Sequence, residues 1–263
     1  MAYATFGPHS PPHPHIEASP VESCAFGIRV GRLDYGIGTD WGSVDVTRDL
    51  IAGEEDLVIL RYPADRLAIT RDLAASGLRF LTADMLLYYH RDTVTTAPHE
   101  GITFRRLTRA DTGLADDLIA DVFTGYHNHY LANPLTSGID LIAAYQEWTQ
   151  ASLEHPSRAV FAAASQRRPD AGMCMVELAG TTAEILLAGL RPTERGGGLY
   201  QALTMRAIEW AASQGATDVV SSTQPWNIVG LRTWTKLGFL PELALTTMHV
   251  MPREPRSAIS SLG

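Results

Sequence analysis

The chain has 263 residues, of which 45% are hydrophobic and 19% are charged. That length exceeds a typical single domain and that composition is typical of a soluble globular protein, so we expect two domains or one duplicated unit. The formal net charge of −8 argues against a nucleic-acid-binding protein, because no basic stripe is present to neutralise phosphates. The acidic balance instead suits an amine substrate.

The cysteines and the apolar runs narrow the class of protein further. Cys24 and Cys174 lie in unrelated contexts, and they form neither a metal-ligand spacing nor a disulfide framework. Cys174 is expected to be a small buried hydrophobic residue. No run reaches the roughly 18 apolar residues of a membrane span, and the N-terminus lacks the pattern of a signal peptide. We therefore predict a cytoplasmic protein without a membrane partner.

The first half of the chain is predicted to be a short α/β unit behind a disordered tail. Residues 1–20 are rich in Pro and His without apolar periodicity, which is typical of disorder. Between Cys24 and Tyr89, apolar runs predict several strands and one helix that ends at Gly77. A polar stretch with Pro and Gly, residues 90–101, marks the boundary to the second half.

The second half alternates helices and strands. After a first strand, an acidic helix begins near Asp111, which is suited to cap its N-terminus. A segment rich in aromatic residues and His, GYHNHYLANPLTSG, follows, and a second helix comes after it. Three strands then lead to a glycine-rich turn and to a helix over residues 199–214 that ends at Gly215. A strand, a short helix and the final strands complete this half, and the last residues from 253 onward are expected to be disordered.

The glycine-rich turn is the most informative part of the sequence. Residues 187–198 read LAGLRPTERGGG and run directly into the helix that begins at Leu199. The first turn of a helix has unpaired N–H groups and the positive end of the helix dipole, which together favour a phosphate. Three consecutive glycines allow the backbone to approach such an anion without a Cβ. The turn is therefore predicted to hold the pyrophosphate of a cofactor.

Two motifs in the second half resemble those of the GNAT N-acyltransferase superfamily. Residues 190–203, LRPTERGGGLYQAL, are similar to the acyl-CoA pyrophosphate loop of that family, and residues 227–239, NIVGLRTWTKLGF, are similar to its downstream helix that ends in Gly-Phe. The resemblance implies an α/β (α+β) GNAT fold, with a central, mixed but mostly antiparallel sheet flanked by helices. Residues 24–89 more loosely resemble the truncated N-terminal half of two-part GNAT enzymes such as dTDP-fucosamine acetyltransferase, a half without a glycine loop.

The resemblance also implies a division into domains. The predicted parts are a disordered tail (1–20), a truncated GNAT-like domain (21–92), a linker (93–100), a complete GNAT acyltransferase domain (101–252) and a second disordered tail (253–263).

By the same resemblance, acetyl-CoA or another acyl-CoA is the expected donor, with the phosphopantetheine arm of a carrier protein as the alternative. Arg195 is expected to contact phosphate, the loop backbone to hold the pyrophosphate and the preceding strand to pair with the pantetheine arm. Asn227 either caps its helix, contacts the arm or does both. The full set of cofactor-binding residues is Ala188, Gly189, Leu190, Arg195, Gly196, Gly197, Gly198, Leu199, Tyr200, Asn227 and Trp234.

The sequence departs from the family at two of these positions. The family usually has Gly or Ala where this chain has Tyr200, so a phenol crowds the start of the helix. GNAT enzymes often have, in place of Trp234, a Tyr whose hydroxyl protonates the leaving thiolate. An indole N–H is only a hydrogen-bond donor, so Trp234 is not a general acid, and it either packs against the cofactor or fills the core.

The acceptor is expected to bind at the segment between the first two helices of the second half. Tyr126, Tyr130 and Asn133 are its predicted substrate-binding residues, and His129 is the predicted general base, with His127 beside it. The alternative for this segment is aromatic packing in a loop. Glu177 is the other candidate base, unless its side chain faces solvent. No carboxylate or Cys accompanies the His pair, so no metal site is predicted.

The sequence therefore predicts an N-acyltransferase that moves an acyl group, with acetyl as the first choice, to an amine. The acceptor is expected to be a small molecule such as an amino sugar nucleotide or a secondary-metabolite intermediate. The amine attacks the thioester directly in a ternary complex, because no Ser/His/Asp or Cys/His nucleophile set is evident. A carrier-protein donor and a non-catalytic protein that binds acyl thioesters are the alternatives, and self-association as a homodimer stays open.

Overall fold

A computed structural model describes residues 6, 15–37, 43–93 and 102–252 of the chain. The helices are α1 (Pro20–Phe26), α2 (Ser43–Ala52), α3 (Leu67–Ser76), α4 (Thr112–Phe123), α5 (Leu141–Ser152), α6 (Leu199–Ser213) and α7 (Ile228–Lys236). The strands are β1 (Glu17–Ala18), β2 (Val30–Asp34), β3 (Leu57–Pro63), β4 (Arg79–Asp92), β5 (Thr103–Arg106), β6 (Arg158–Ala164), β7 (Gly172–Ala179), β8 (Thr182–Leu190), β9 (Asp218–Thr223) and β10 (Leu240–Met251). Within these residues, no helix is both long and apolar enough to cross a membrane.

The chain divides into two compact units that do not follow chain order. Of the described residues, the larger unit contains 87–93, 102–126 and 140–243, and the smaller unit contains 6, 15–37, 43–86, 127–139 and 244–252. The division falls within β4 and within β10, so both units contain part of each of these two strands.

The smaller unit has a mixed sheet with the strand order β1-β2-β3-β10. Strands β2 and β3 are parallel, whereas β1 and β10 are each antiparallel to their neighbour. Its core is formed by apolar side chains of β2 and β3 and of helices α2 and α3, such as Leu33, Leu60, Leu50 and Leu73. Helix α3 ends at Gly77, where φ is +77°, which confirms the predicted glycine stop.

The larger unit has the strand order β4-β9-β8-β7-β6-β5, with helices on both faces. Strands β8 and β9 are parallel, and the other neighbouring pairs are antiparallel. Alternate residues of β7 face opposite sides, because side chains alternate along a strand. Cys174 belongs to the core under α6 and α7, whereas Met173 and Met175 belong to the core under α4 and α5. The predicted fold class, a mixed and mostly antiparallel sheet flanked by helices, is confirmed.

The structure corrects the predicted N-terminal tail and leaves the predicted domain bounds untested. The expected disordered tail is too long, because Glu17–Ala18 pairs with β2 as β1 and Pro20 begins α1. Most of the predicted linker and all of the tail over 253–263 lie outside the described residues. The domain bounds 21–92 and 101–252 stay a prediction, since the compact units follow spatial contacts, which place residues 127–139 with the smaller unit.

Buried Cys174 confirms the sequence prediction for this residue. The side chain is fully buried, and burial raises the pKa of its thiol to about 12. The thiol therefore stays protonated, as expected of a small hydrophobic core residue.

The close approach of β7 to β8 predicts that Gly172→Ala is destabilising. A Cβ at this position would lie 2.6 Å from the backbone oxygen of Gly189 and 2.5 Å from Cδ2 of Leu190. Since the backbone oxygen has little room to move, we expect a loss of about 1–3 kcal/mol in the free energy of unfolding, measured by urea titration. Gly113→Ala in α4 is the matched control, because nothing lies within 4 Å of its added Cβ, and it should leave stability unchanged or slightly raised.

Candidate active site

The parallel strands β8 and β9 separate at their carboxyl ends. They pair from Thr182 opposite Asp218 to Ile185 opposite Ser221, although both strands continue beyond that point. The pairing of β8 with β7 continues on the other side to Leu190. A gap therefore opens between β8 and β9, and the second half of β8 has an edge without a strand partner in the described part of the chain.

A β-bulge accounts for this separation. Met175 of β7 is opposite Leu187, but the next residue, Val176, is opposite Ile185, so that Leu186 is an extra residue in β8. A bulge bends its strand and increases the local twist. Because Leu186 immediately follows the last residue of β8 that pairs with β9, the bend turns β8 away from β9 at the point where the gap begins.

The free edge of β8 presents the backbone of two predicted cofactor-binding residues. The N–H of Arg191, just after β8, donates to the carbonyl of Ala171 on the β7 side at 3.0 Å. Since backbone groups alternate along a strand, Gly189 also faces β7, whereas Ala188 and Leu190 direct their N–H and C=O groups into the gap. An extended ligand with amide groups can pair with that edge as another strand would.

Gly189 has a structural role in the packing of the sheet. The bulge of β8 is at Leu186, three residues earlier in the chain. A Cβ on Gly189 would lie 2.2 Å from Cγ1 of Val122, so glycine here allows helix α4 to pack against the strand. Its contact with a cofactor stays a prediction.

The glycine loop has the geometry of an anion site. Gly196 and Gly198 have φ values of +92° and +80°, which favour glycine strongly. In the described part of the chain, no acceptor pairs with the five backbone N–H groups from Gly196 to Tyr200, and the first helical bonds are those of Gln201 and Ala202 to the carbonyl of Gly198. Arg195 and all three glycines are exposed. These donors and the positive end of the α6 dipole suit a diphosphate.

Arg191 anchors the start of this loop, and the sequence reasoning did not single it out. Its side chain is 6% exposed, donates to the backbone and to the carboxylate of Asp170 at 2.8 Å each, and forms an ion pair with Asp121. The signal in the sequence was an Arg between a buried strand and a Pro. Its geometry indicates that it fixes the direction in which the chain leaves β8.

The side chains of Tyr200 and Trp234 both pack into the core under α6 and α7. Trp234 is 3% exposed and contacts the rings of Tyr89 and Phe239. It therefore fills the core, which was one of its two predicted roles. Burial raises the pKa of the Tyr200 phenol, which keeps it protonated.

Asn227 caps helix α7. Its Oδ1 accepts a hydrogen bond from the N–H of Gly230 at 3.1 Å, and its Nδ2 donates to Oγ1 of Thr223 at 2.9 Å. The capping alternative is confirmed, and the second contact ties the helix start to the end of β9. Whether Asn227 also contacts a pantetheine arm stays a prediction.

The predicted acceptor-binding residues fall into both units. Tyr126 belongs to the larger unit, where its hydroxyl bonds to Oε1 of Gln224. His127, His129, Tyr130 and Asn133 belong to the smaller unit. Of these four, only His127 is exposed; His129 and Asn133 are buried.

His129 forms a buried pair with His249. Nδ1 of His129 lies 2.9 Å from Nε2 of His249, and both side chains are at most 5% exposed. Burial is the main cause that lowers the pKa of both imidazoles, to about 4 for His249, and the positive charges of Arg61 and Arg32 lower it further. Both rings are therefore uncharged at neutral pH.

Tyr130 and Asn133 have partners within the smaller unit. The Tyr130 hydroxyl donates to the carboxylate of Glu22, which is also paired with Arg32 at 2.6 Å. Oδ1 of Asn133 accepts from the N–H of Leu135 at 3.0 Å, as in an Asx turn. These contacts explain both residues as structural, and their binding of an acceptor stays a prediction.

Glu177 is an ion-paired carboxylate and does not face solvent. It is 7% exposed, and Nε of Arg158 donates to its Oε1 at 2.9 Å. Burial alone would raise its pKa, but the hydrogen bond and the charge of Arg158 contribute to a net lowering of the pKa. This pairing weakens Glu177 as a base.

One group of side chains has the composition of a metal site. The ligand atoms of His90, Asp92 and Asp218 lie within 4.8 Å of one another. His90 and the hydroxyl of Thr217 already hydrogen-bond to the carboxylate of Asp218 and lower its pKa. These bonds account for the cluster, so we assign no ion to it.

Comparison with known proteins finds a family model that matches part of the chain. Residues 126–239 match the model of the "Acetyltransferase (GNAT) family". A mycothiol acetyltransferase of Amycolatopsis mediterranei is 36% identical over 56 residues, which are 21% of this chain and 19% of that protein.

Two solved structures show the same fold. A GCN5-related N-acetyltransferase of Sphaerobacter thermophilus has a TM-score of 0.57 and 17% identity, over 75% of this chain and 60% of that one. A conserved protein of unknown function from Staphylococcus epidermidis has a TM-score of 0.63 and 8% identity, over 92% of each chain. At these identities the similarity extends to the fold alone.

The buried imidazole pair predicts that stability falls as the pH is lowered from 6.5 towards 4. The unfolded imidazoles bind protons below about pH 6.5, whereas the folded pKa of His249 is about 4. In that window the unfolded state binds more protons, so its free energy falls relative to the native state. From the linkage of pKa to stability, we expect the protonation of His249 to lower the free energy of unfolding by about 3 kcal/mol at most.

Urea unfolding of the wild type and of His249→Gln, at pH 7, 6, 5 and 4, isolates this contribution from that of the carboxylates. The wild type should lose more stability than the variant between pH 6.5 and 4. Parallel pH curves for the two proteins would contradict the assignment.

Proposed function

We propose that the chain transfers an acetyl group from acetyl-CoA to the amine of a small molecule, because residues 126–239 match the model of the GNAT acetyltransferase family. Two features of the larger unit carry this proposal: five N–H groups from Gly196 to Tyr200, and the edge of β8 at Ala188 and Leu190. Neither has a backbone partner among the residues that the structure describes. The first set fits a diphosphate and the second fits the amide groups of a pantetheine arm.

In this proposal the protein contributes binding and orientation. The N–H groups at the start of α6 hold the diphosphate, and Arg195 adds a positive charge at its exposed side. The edge of β8 fixes the arm, so that the thioester, which acetyl-CoA supplies when bound, lies in the gap between β8 and β9. Holding both reactants in place replaces a covalent intermediate, and peptide N–H groups of β8 stabilise the developing oxyanion.

Three residues remain candidates for the base that takes the proton of the acceptor amine. His129 is uncharged at neutral pH and is therefore able to accept a proton, with Nδ1 already engaged by His249. Glu177 is held by Arg158, which makes it the weaker base. His127 is exposed and is the third predicted residue. We expect His129→Gln to lower kcat/KM more than Glu177→Gln, and to remove the acidic limb of the pH profile.

An amino group on a sugar nucleotide or on a secondary-metabolite intermediate is the proposed acceptor. The short match to a mycothiol acetyltransferase supports a small-molecule acceptor in general. It extends over 56 residues only, so that it favours no particular substrate.

The deciding experiment measures thiol release from acetyl-CoA with a panel of amines: glucosamine, an amino sugar nucleotide, spermidine and an amino acid amide. The same panel is run with an acetylated phosphopantetheine carrier protein as donor. Turnover with acetyl-CoA supports the proposal. Turnover with the acetylated carrier protein alone would identify the carrier protein, and not acetyl-CoA, as the donor. Binding of CoA without turnover from either donor would leave a non-catalytic thioester-binding protein.

The left-handed backbone at Gly198 gives a sharper test of the donor site. Gly198→Ala should raise the dissociation constant of CoA about tenfold, because an alanine at φ +80° shifts the N–H groups that follow. Gly215→Ala is the matched control: it places the same strain, at φ +87°, after the other end of α6, and neither added Cβ meets an atom within 4 Å. Titration calorimetry with CoA should show a loss of affinity for Gly198→Ala but not for Gly215→Ala.

A further inference from the structure

A hydrogen bond between two side chains crosses the gap between β8 and β9, on the face of the sheet that α4 covers. The hydroxyl of Tyr126 donates to Oε1 of Gln224 at 2.5 Å. Gln224 directly follows Thr223, the last residue of β9, and it is 4% exposed. Tyr126 follows the last residue of α4 by three positions, and this helix packs on β8. The bond therefore joins the two sides of the gap.

The end of α4 fixes Tyr126 to the β8 side. A Cβ on Gly189 would lie 2.2 Å from Cγ1 of Val122 and 4.0 Å from Cζ of Phe123, so the last turn of α4 lies directly on this strand. The backbone N–H of Tyr126 donates to the carbonyl of Phe123 at 2.9 Å, and the two rings meet edge to face with their centroids 6.0 Å apart. The phenol is thus held where its hydroxyl reaches Gln224.

Gln224 is fixed to the β9 side. Its backbone carbonyl accepts a hydrogen bond from the N–H of Asn227 at 3.0 Å, in the turn between β9 and α7. Nδ2 of Asn227 donates to Oγ1 of Thr223 at 2.9 Å, which ties this turn to the end of β9. Because the backbones of β8 and β9 pair only as far as Ile185 and Ser221, the bond between the side chains spans strands that have already separated.

The wall of the gap beside this bond is apolar. Leu186 and Leu187 of β8, Phe123 of α4 and the ring of Tyr126 all belong to the core under α4 and α5. Apolar surroundings exclude water, because they offer it no hydrogen-bond partners. An apolar wall that is completed by one hydrogen bond between two fixed side chains is therefore suited to keep water out of the gap.

We propose that Tyr126 and Gln224 close the α4 face of the gap against water, and thereby direct the acetyl group to an amine rather than to hydrolysis. This inference rests on the proposed function, in which the thioester lies in this gap. The pair determines specificity between amine and water, and this role requires no contact with the donor or the acceptor.

Water and the amine compete for the same carbonyl carbon. In transfer, the nitrogen lone pair forms the new C–N bond, the electron pair of the C–S bond passes to sulfur, and the proton of the amine passes to the base. In hydrolysis, the oxygen of water forms the new bond and the C–S pair again passes to sulfur, so that the products are acetate, the CoA thiol and a proton. Since water is far more concentrated than any amine, its exclusion from the gap favours transfer.

The test measures thiol release from acetyl-CoA without any amine, so it requires no knowledge of the acceptor. Tyr126→Phe keeps the ring and removes the O–H. We expect it to raise hydrolysis about threefold to tenfold, which is the effect of one hydrogen bond on an equilibrium between a closed and an open gap. Calorimetry should show the dissociation constant of CoA within about twofold of the wild type, because the donor site is formed by other residues. Tyr62→Phe, which removes a hydroxyl bonded to Thr70 in the smaller unit, is the matched control and should hydrolyse acetyl-CoA at the wild-type rate.

A second variant removes the same bond from its other side. Gln224→Met keeps the length of the side chain and removes the acceptor oxygen, so it should raise hydrolysis as Tyr126→Phe does. Because the two changes break one bond, the double variant should hydrolyse acetyl-CoA no faster than the faster of the two single variants. Two independent structural roles would instead make the effects multiply.

The outcomes separate this inference from the proposed function. Unchanged hydrolysis in Tyr126→Phe, or effects that multiply in the double variant, overturns the inference and leaves the proposed function intact. A rise in hydrolysis together with weaker binding of CoA also overturns it, because the pair would then support the donor site as a whole. Wild-type protein that neither binds CoA nor releases thiol with any amine of the panel overturns the proposed function together with this inference.

Discussion

The candidate site of the larger unit depends on one irregularity, the extra residue Leu186 in strand β8. Without it, β8 and β9 would continue as an ordinary parallel pair and their backbone groups would satisfy one another. The bulge ends that pairing after Ile185, while the bond network with β7 is retained on the other side. The sheet thereby keeps its core and exposes a strand edge, which elsewhere proteins avoid. An edge of this kind is suited to an extended ligand that supplies the missing partner.

The residues around the bulge fix the direction in which the chain continues from the edge of β8 to the glycine loop. Gly189 allows α4 to pack closely against β8, and Arg191 ties the end of the strand to Asp170. The loop therefore leaves the sheet in a fixed direction before α6 begins at Leu199. The anion-binding end and the edge of β8 are two parts of one continuous segment, residues 186–200. This continuity is the reason that one flexible molecule, with phosphates at one end and amides in its arm, fits both.

The smaller unit is organised by buried polar pairs. Arg32 and Glu22, with the Tyr130 hydroxyl, form one network, and His129 with His249 forms another. Buried polar groups are costly unless they are paired. The contacts of Tyr130 with Glu22 and of His129 with His249 join segments that are more than 100 residues apart in the sequence. They explain why residues 127–139 belong with a unit that is otherwise formed by the two ends of the chain.

The sequence by itself indicated the glycine loop and a capping role for Asn227, because each depends on a local pattern: glycines that allow positive φ and a side chain three residues from its N–H. The stop of a helix at Gly77 was predicted for the same reason. The fold class followed from two motifs that resemble those of the GNAT superfamily. The bulge at Leu186, the anchor at Arg191 and the partner of His129 were decided by tertiary structure alone. Each depends on a residue on a different strand or helix, such as Met175, Asp121 or His249, and a single sequence contains no record of which distant residues meet.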